Sequence, residues 1–161
     1  MTDKIKNSIK FIVSILICQT AGMVGSIFTI RSVDTWYAGI EKPVFNPPNW
    51  VFGPVWTVLY LLMGVSLFLV WRKGIRREGA TGALVVFLIQ LLLNGLWSFA
   101  FFGCRSPLAG LAVIVLLWAA ILATIARFSR ISRPAAILLV PYIAWVSFAV
   151  LLNGAVFMLN S

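Results

Sequence analysis

The sequence predicts an all-α polytopic membrane protein, a bundle of five transmembrane helices with a structured first loop. The chain of 161 residues is 61% hydrophobic and only 11% charged, which is far more apolar than a soluble domain. Its charges are also clustered, because uncharged runs of at least twenty residues cover 11–30, 43–71, 79–104, 106–126 and 134–161. A helix needs about 20 residues to cross a hydrocarbon core of ~30 Å. Five spans therefore use almost the whole chain, and residues 1–161 are expected to form a single membrane domain.

The basic residues predict the orientation of the bundle. A five-span arrangement puts most of the 13 Lys and Arg residues on one side, at positions 4, 6, 10, 72, 73, 76, 77, 127, 130 and 133. Only Arg31, Lys42 and Arg105 fall on the other side. This asymmetry follows the positive-inside rule. It predicts a prokaryotic inner-membrane protein with a cytoplasmic N-terminus and an external C-terminus. We interpret the net charge of +9 as anchoring in the lipid membrane and expect no nucleic-acid partner.

The first predicted span, about 11–30, carries small residues on one face. Cys18, Gly22 and Ser26 are spaced four residues apart, and Gly25 lies beside them. Small side chains allow another helix to approach closely. The pattern fits either packing inside the bundle or the seam of a homodimer, and the sequence leaves both open.

The first loop begins at Trp36 and leads into the second predicted span, about 50–71. Pro47 and Pro48 cannot lie inside a helix, because proline lacks the N–H and blocks the preceding turn. Pro48 and Asn49 can, however, begin a helix. We therefore expect a rigid, aromatic lid that passes directly into the span.

Three spans carry aromatic and polar stripes at helical spacing. The members that share a face are Trp56, Tyr60 and Gly64 in the second span, Gln90, Asn94 and Trp97 in the third (about 80–103), and Tyr142, Trp145, Ala149 and Asn153 in the fifth (about 135–159). An amide at membrane depth needs a partner or a polar cavity, so Asn94 either bonds to another helix or meets a ligand. The fifth-span stripe favours a pocket wall over plain core. The alanine-rich fourth span, about 107–126, predicts close packing alone.

The sequence excludes several kinds of chemistry. All four carboxylates lie outside the spans, and the chain has no histidine. A proton-coupled pump, a metal centre and a histidine-dependent catalytic site are therefore not expected. Cys18 and Cys104 fall at different depths, which argues against a disulfide. The remaining aromatic faces and amides suit a flat, mainly apolar molecule such as a tetrapyrrole, whose propionates would lie near Arg31 and Lys42.

Three segments resemble the signatures of the TspO/MBR family of tryptophan-rich sensory and translocator proteins. They read W-Y-A-G-x-x-K-P-x-x-x-P-P-x-W-V-x-G-P-V-W from Trp36, Q-L-L-L-N-G-L-W-S-F-A-F-F-G from Gln90, and P-Y-I-A-W-V-S-F-A-V-L-L-N from Pro141. The resemblance implies a five-helix bundle, usually dimeric, that binds protoporphyrin IX or haem as a ligand under the first loop, with no obligatory cofactor. By motif position it implies a pocket formed by Tyr37, Pro47, Trp50, Trp56, Asn94, Trp97, Trp145, Ala149 and Leu152.

The chain departs from the family pattern at three positions. Phe45 replaces the second lid tryptophan, and Ala109 replaces a tryptophan of the animal fourth span. Gly154 stands in place of the tyrosine of the animal sterol pattern and no basic residue follows it, so sterol binding is poorly supported. The first expectation is a tetrapyrrole receptor, sensor or carrier. The alternatives are a light-dependent porphyrin-degrading activity of the pocket tryptophans, or a regulatory scaffold that needs no ligand.

Overall fold

In the computed structural model, which describes residues 2–161, every regular element is helical. The elements are α1 (Thr2–Val33), α2 (Trp36–Gly39), α3 (Asn49–Trp71), α4 (Ala80–Ser98) with a π-helical turn (Phe99–Gly103), α5 (Pro107–Ile131), α6 (Arg133–Leu138) and α7 (Val140–Leu159). Five stretches of the described chain are long and apolar enough to cross a membrane. The predicted bundle of five transmembrane helices is confirmed.

Helix α1 is longer than the predicted span at both ends. It begins at Thr2 because the basic residues before Phe11 are good helix formers and continue the helix out of the apolar run. It packs against α3 and α4, while most of its large apolar side chains remain exposed. In a bilayer that surface faces lipid or another protein.

The small-residue stripe of α1 packs inside the bundle, which is the first of the two alternatives. A Cβ added at Gly22 would lie 2.5 Å from the ring of Tyr60, and one added at Gly64 would lie 2.9 Å from Cα of Ile15. Cys18 on the same face is fully buried, as a free thiol. Glycine is therefore required for the close approach of α1 to α3. The homodimer stays a prediction.

The π-helical turn continues α4 to Gly103, where the third span was predicted to end. The N–H of Cys104 donates to the carbonyl of Phe99, 2.8 Å away, which closes the wider turn. Phe101 and Phe102 are buried by this turn, while Phe99 is exposed. Turns of this kind occur often at functional sites, because they change the direction of successive side chains.

Helices α5 to α7 complete the bundle. Pro107 opens α5, and the Ser106 hydroxyl accepts a bond from the N–H of Ala109 at 3.2 Å. The helix ends at Ile131, five residues beyond the predicted end of the span. The fifth span is divided into α6 and α7 at Leu139, two residues before Pro141, which cannot donate to the preceding turn.

Candidate ligand pocket

The lid, residues 36–48, is held by its own hydrogen bonds. The hydroxyl of buried Tyr37 donates to Oδ1 of Asn46 at 2.7 Å. Burial raises the pKa of Tyr37 to about 12, so this hydroxyl remains protonated at physiological pH. Lys42 Nζ donates to the carbonyls of Tyr37, Ala38 and Ile40 at 2.7, 3.2 and 2.9 Å. The three donors of Lys42 are therefore used within the lid, and of the two expected rim cations only Arg31 is left for a ligand carboxylate.

A side chain from the last turn of the chain ties the lid to α7. Asn160 Oδ1 accepts from the N–H of Glu41 at 3.0 Å, and Asn160 Nδ2 donates to the carbonyl of Glu41 at 2.9 Å. Phe45 also packs edge-on against Phe148 of α7, with ring centroids 6.2 Å apart. The replacement of tryptophan by phenylalanine at position 45 thus keeps an aromatic contact between lid and bundle.

A buried chain of hydrogen bonds joins three spans below the lid. Tyr60 of α3 donates to Oδ1 of Asn94 at 2.6 Å, and Asn94 Nδ2 donates to the Tyr142 hydroxyl at 2.8 Å. Tyr142 in turn donates to Oε1 of Gln90 at 2.8 Å. Each polar group satisfies another away from water, which is the condition for polar side chains at membrane depth. Of the two roles open to Asn94, the bond to other helices is present.

The larger cavity, here called the outer chamber, has a volume of about 400 Å³ and lies between α1, the first half of α3, and α4. It is open on one side. Five of the nine predicted pocket residues line it: Tyr37, Trp50, Trp56, Asn94 and Trp97. Asn94 therefore faces a cavity as well as its two tyrosine partners.

The α1 wall of the outer chamber was missed by sequence reasoning. Its lining residues on this helix are Gln19, Gly22, Met23, Ser26, Thr29, Ile30 and Val33. The available signal was weak. Gln19, Ser26 and Thr29 share one helical face, but this polar pattern is short and two of its three side chains are small. Ser98 of α4, and Phe52 and Phe102, also line the chamber without having been expected.

A second, much smaller cavity adjoins the first. This inner chamber has a volume of about 20 Å³ and holds the predicted fifth-span residues Trp145, Ala149 and Leu152. Pro47 lines neither chamber. The predicted site residues are thus divided between the outer and the inner chamber, and Pro47 belongs only to the lid.

Five aromatic side chains line both chambers and separate them. This aromatic partition consists of Tyr37, Phe52, Trp56, Trp97 and Phe102. The ring centroid of Trp56 lies 5.7 Å from that of Tyr60, 6.1 Å from that of Trp97 and 6.4 Å from that of Tyr142. Among residues 2–161 no cluster of metal-ligating side chains occurs. The arrangement offers aromatic faces with a few hydroxyls and amides, which suits the binding of a planar ring.

Comparison with known proteins assigns the family. The model of the TspO/MBR family matches residues 14–159. "Tryptophan-rich protein TspO" of Archaeoglobus fulgidus is 47% identical over 155 residues, covering 96% of this chain and 99% of that protein. Human "Translocator protein" is 42% identical over 134 residues, 83% of this chain and 79% of that protein. "Tryptophan-rich sensory protein" of Cereibacter sphaeroides is 38% identical over 127 residues, 79% of this chain and 78% of that protein. With its five apolar spans, the chain is an integral membrane protein and belongs to the TspO/MBR family.

Proposed function

We propose that this protein is a membrane receptor, sensor or carrier that binds a tetrapyrrole, protoporphyrin IX or haem, between the lid and the aromatic partition. The observation that carries the proposal is the outer chamber, about 400 Å³ in volume and lined by Trp50, Trp56 and Trp97. Ligand pockets have volumes of roughly 300–1,000 Å³ and are mainly apolar with a few polar groups. The names of the relatives, which include a translocator and sensory proteins, support a role in ligand handling.

The polar ends of the ligand have a natural position at the lid end of the bundle. Arg31 is exposed in the last turn of α1, directly after Ile30, which lines the outer chamber. A guanidinium binds a carboxylate through two parallel hydrogen bonds. We place the propionates near Arg31 and the ring against Trp56, because the interior of the chamber has aromatic faces but no cation among its lining residues.

One observation favours a second candidate, light-dependent degradation of the bound porphyrin. Trp56, Tyr60, Trp97 and Tyr142 form a continuous group of oxidisable rings with Trp56 at its centre. Such a group is able to exchange electrons with an excited ring beside it. Illumination of the complex in air distinguishes this activity, because degradation gives a product with a new absorption band and binding alone does not.

A titration of the purified protein in lipid nanodiscs tests the proposed function. We expect saturable quenching of tryptophan fluorescence by protoporphyrin IX and by haem, and a weak response to a sterol. Trp56→Leu removes a ring that lines both chambers and should weaken binding. The matched control is Trp118→Leu, because Trp118 lies on α5, lines neither chamber and bonds to Ser147. Unsaturable quenching of the wild type would favour the ligand-independent scaffold.

A further inference from the structure

We infer that the ligand reaches the outer chamber sideways from the lipid bilayer, through the opening between α1 and α3, and that the lid is not its entrance. The inference rests on the proposed function. It assigns the α1 wall of the chamber, which lies outside the three sequence motifs quoted above, as the entry site for a planar, membrane-soluble molecule.

The open side of the chamber faces the surroundings of the bundle. Three lining residues are strongly exposed: Met23 at 68%, Ile30 at 70% and Trp50 at 75%. Met23 lies ten residues before the end of α1 at Val33, which is about 15 Å along the helix and close to half of a ~30 Å hydrocarbon core. The opening therefore reaches from the lid end towards the middle of the bilayer, where a planar apolar molecule is concentrated by partitioning.

The polar contacts across the opening are few. Among residues 2–161, one side-chain hydrogen bond joins α1 to α3, from Gln19 Nε2 to the carbonyl of Thr57, and its length of 3.3 Å indicates a weak bond. The close contact at Gly22 lies in the wall of the chamber, and with the contact at Gly64 it holds the two helices together. Among the side-chain hydrogen bonds of the described chain, only this weak one is lost if α1 and α3 move apart at the opening.

Entry through the lid would require more contacts to break. Opening it breaks the paired bonds of Asn160 to Glu41, and the edge contact of Phe45 with Phe148. The Tyr37 hydroxyl bond to Asn46 also links the two ends of the lid. Opening the lid therefore breaks two hydrogen bonds and an aromatic contact, whereas the side opening breaks one weak hydrogen bond, so the side opening is the easier path.

Two features inside the chamber fit a molecule that arrives from this side. Ser98 is 7% exposed and lines the chamber, with its hydroxyl against Gly25 of α1, and it has no side-chain hydrogen-bond partner within residues 2–161. It can therefore bond a polar group of the ligand.

Trp97 is fixed by a 3.1 Å bond from its indole N–H to Asn153, whereas the indole of Trp56 has no such bond in the described chain. Within the partition, Trp97 is thus held by a hydrogen bond and Trp56 by ring packing alone.

The test measures the association rate of protoporphyrin IX with the protein in nanodiscs, followed by porphyrin emission after rapid mixing with loaded lipid vesicles. Met23→Trp narrows the opening and should lower the association rate about tenfold. The matched control is Leu16→Trp, which is 57% exposed on α1 but lines neither chamber, and whose rate should equal that of the wild type. Gln19→Ala removes the bond across the opening and should raise the rate.

The opposite results identify the other route. A wild-type rate in Met23→Trp, together with faster association in Asn160→Ala, would show that the ligand enters through the lid and would overturn the inference. The equilibrium titration of the wild type separates this result from a failure of the proposed function. If the wild type binds saturably and only the rates disagree, the route alone is wrong; if it does not bind, the function and the route both fail.

Discussion

The indole N–H of Trp97 donates a hydrogen bond to Oδ1 of Asn153, 3.1 Å away, and so joins α4 to α7 at the wall of the inner chamber. Asn153 Nδ2 also donates to the carbonyl of Pro107 at the start of α5, at 2.8 Å. One amide thus fixes three helices and the orientation of a tryptophan that faces both chambers. Trp97 is a rigid wall because of this bond, and the ligand meets a surface that is already oriented.

We expect Asn153→Leu to lower the stability of the bundle. It leaves the indole N–H of Trp97 without a partner and removes the bond to the Pro107 carbonyl, and interhelical hydrogen bonds in membranes contribute roughly 0.6–2 kcal/mol each. Thermal unfolding in detergent should show a lower midpoint. Ser147→Ala is the control, because it removes the bond of Trp118 on the outside of the bundle. Equal midpoints for the two variants would contradict the structural role of Asn153.

Asn94→Leu should remain folded and bind porphyrin more weakly, by roughly the 1–3 kcal/mol of a lost buried hydrogen bond. Gln90→Leu is a matched control, since both side chains bond to Tyr142 but only Asn94 lines the outer chamber. Titration and thermal unfolding of both variants separate the two roles. If both lose stability and affinity equally, Asn94 acts only as a structural link.

Ala149→Leu should reduce the affinity for large ligands more than it reduces thermal stability. Ala149 is buried and lines the inner chamber, where only about 20 Å³ is free, so a larger side chain fills the space that a large ligand in the outer chamber needs to extend past the aromatic partition. Ala144→Leu on the exposed face of α7 should bind like the wild type. Unchanged affinity in Ala149→Leu would show that the ligand stays outside the inner chamber.

The lid prediction concerns Pro47 and Pro48. Neither residue lines a chamber, but both restrict the backbone conformations of the segment before α3 begins at Asn49. Replacement of both by alanine should loosen the lid and speed the release of ligand, with little change in association. Stopped-flow displacement measures the release rate. An unchanged rate would mean that the lid does not retain the ligand.

The orientation of the chain is open to a direct test. The ten basic residues counted on one side all lie at the end of the bundle opposite the lid, in the start of α1, in the α3–α4 connection, in the last turns of α5 and at the start of α6. The positive-inside rule predicts that this end is cytoplasmic and that the C-terminus is external. A reporter enzyme that works only outside the cytoplasm should show activity when it is fused to the C-terminus. Activity of a reporter that works only in the cytoplasm would reverse the assignment.

Much of the bundle and part of the pocket could be predicted because they depend on patterns within single helices. Uncharged runs located the spans, and helical spacing placed Trp56, Asn94 and Trp97 on inward faces that the structure brings together. The start of α3 at Asn49 also followed from local rules for proline. The division of the fifth span at Leu139 could have been suspected from Pro141.

The rest depends on contacts between distant segments. The sequence of α1 carried only a weak sign that one of its faces lines a chamber, since that depends on how α1 packs against α3 and α4. The sequence placed the Lys42 cation near the rim of the pocket, where a ligand carboxylate would lie. In the structure its ammonium instead donates to three carbonyls of the lid. The link from Asn160 to Glu41 joins residues 119 positions apart, so no local pattern contains it.

The most direct test of the central claim is an experimental structure of the protein with protoporphyrin IX bound in a lipid environment. We predict that the ring lies in the outer chamber between α1, α3 and α4, in contact with Trp56 and with its propionates towards Arg31. A ring bound outside the bundle, with the outer chamber unchanged, would contradict it.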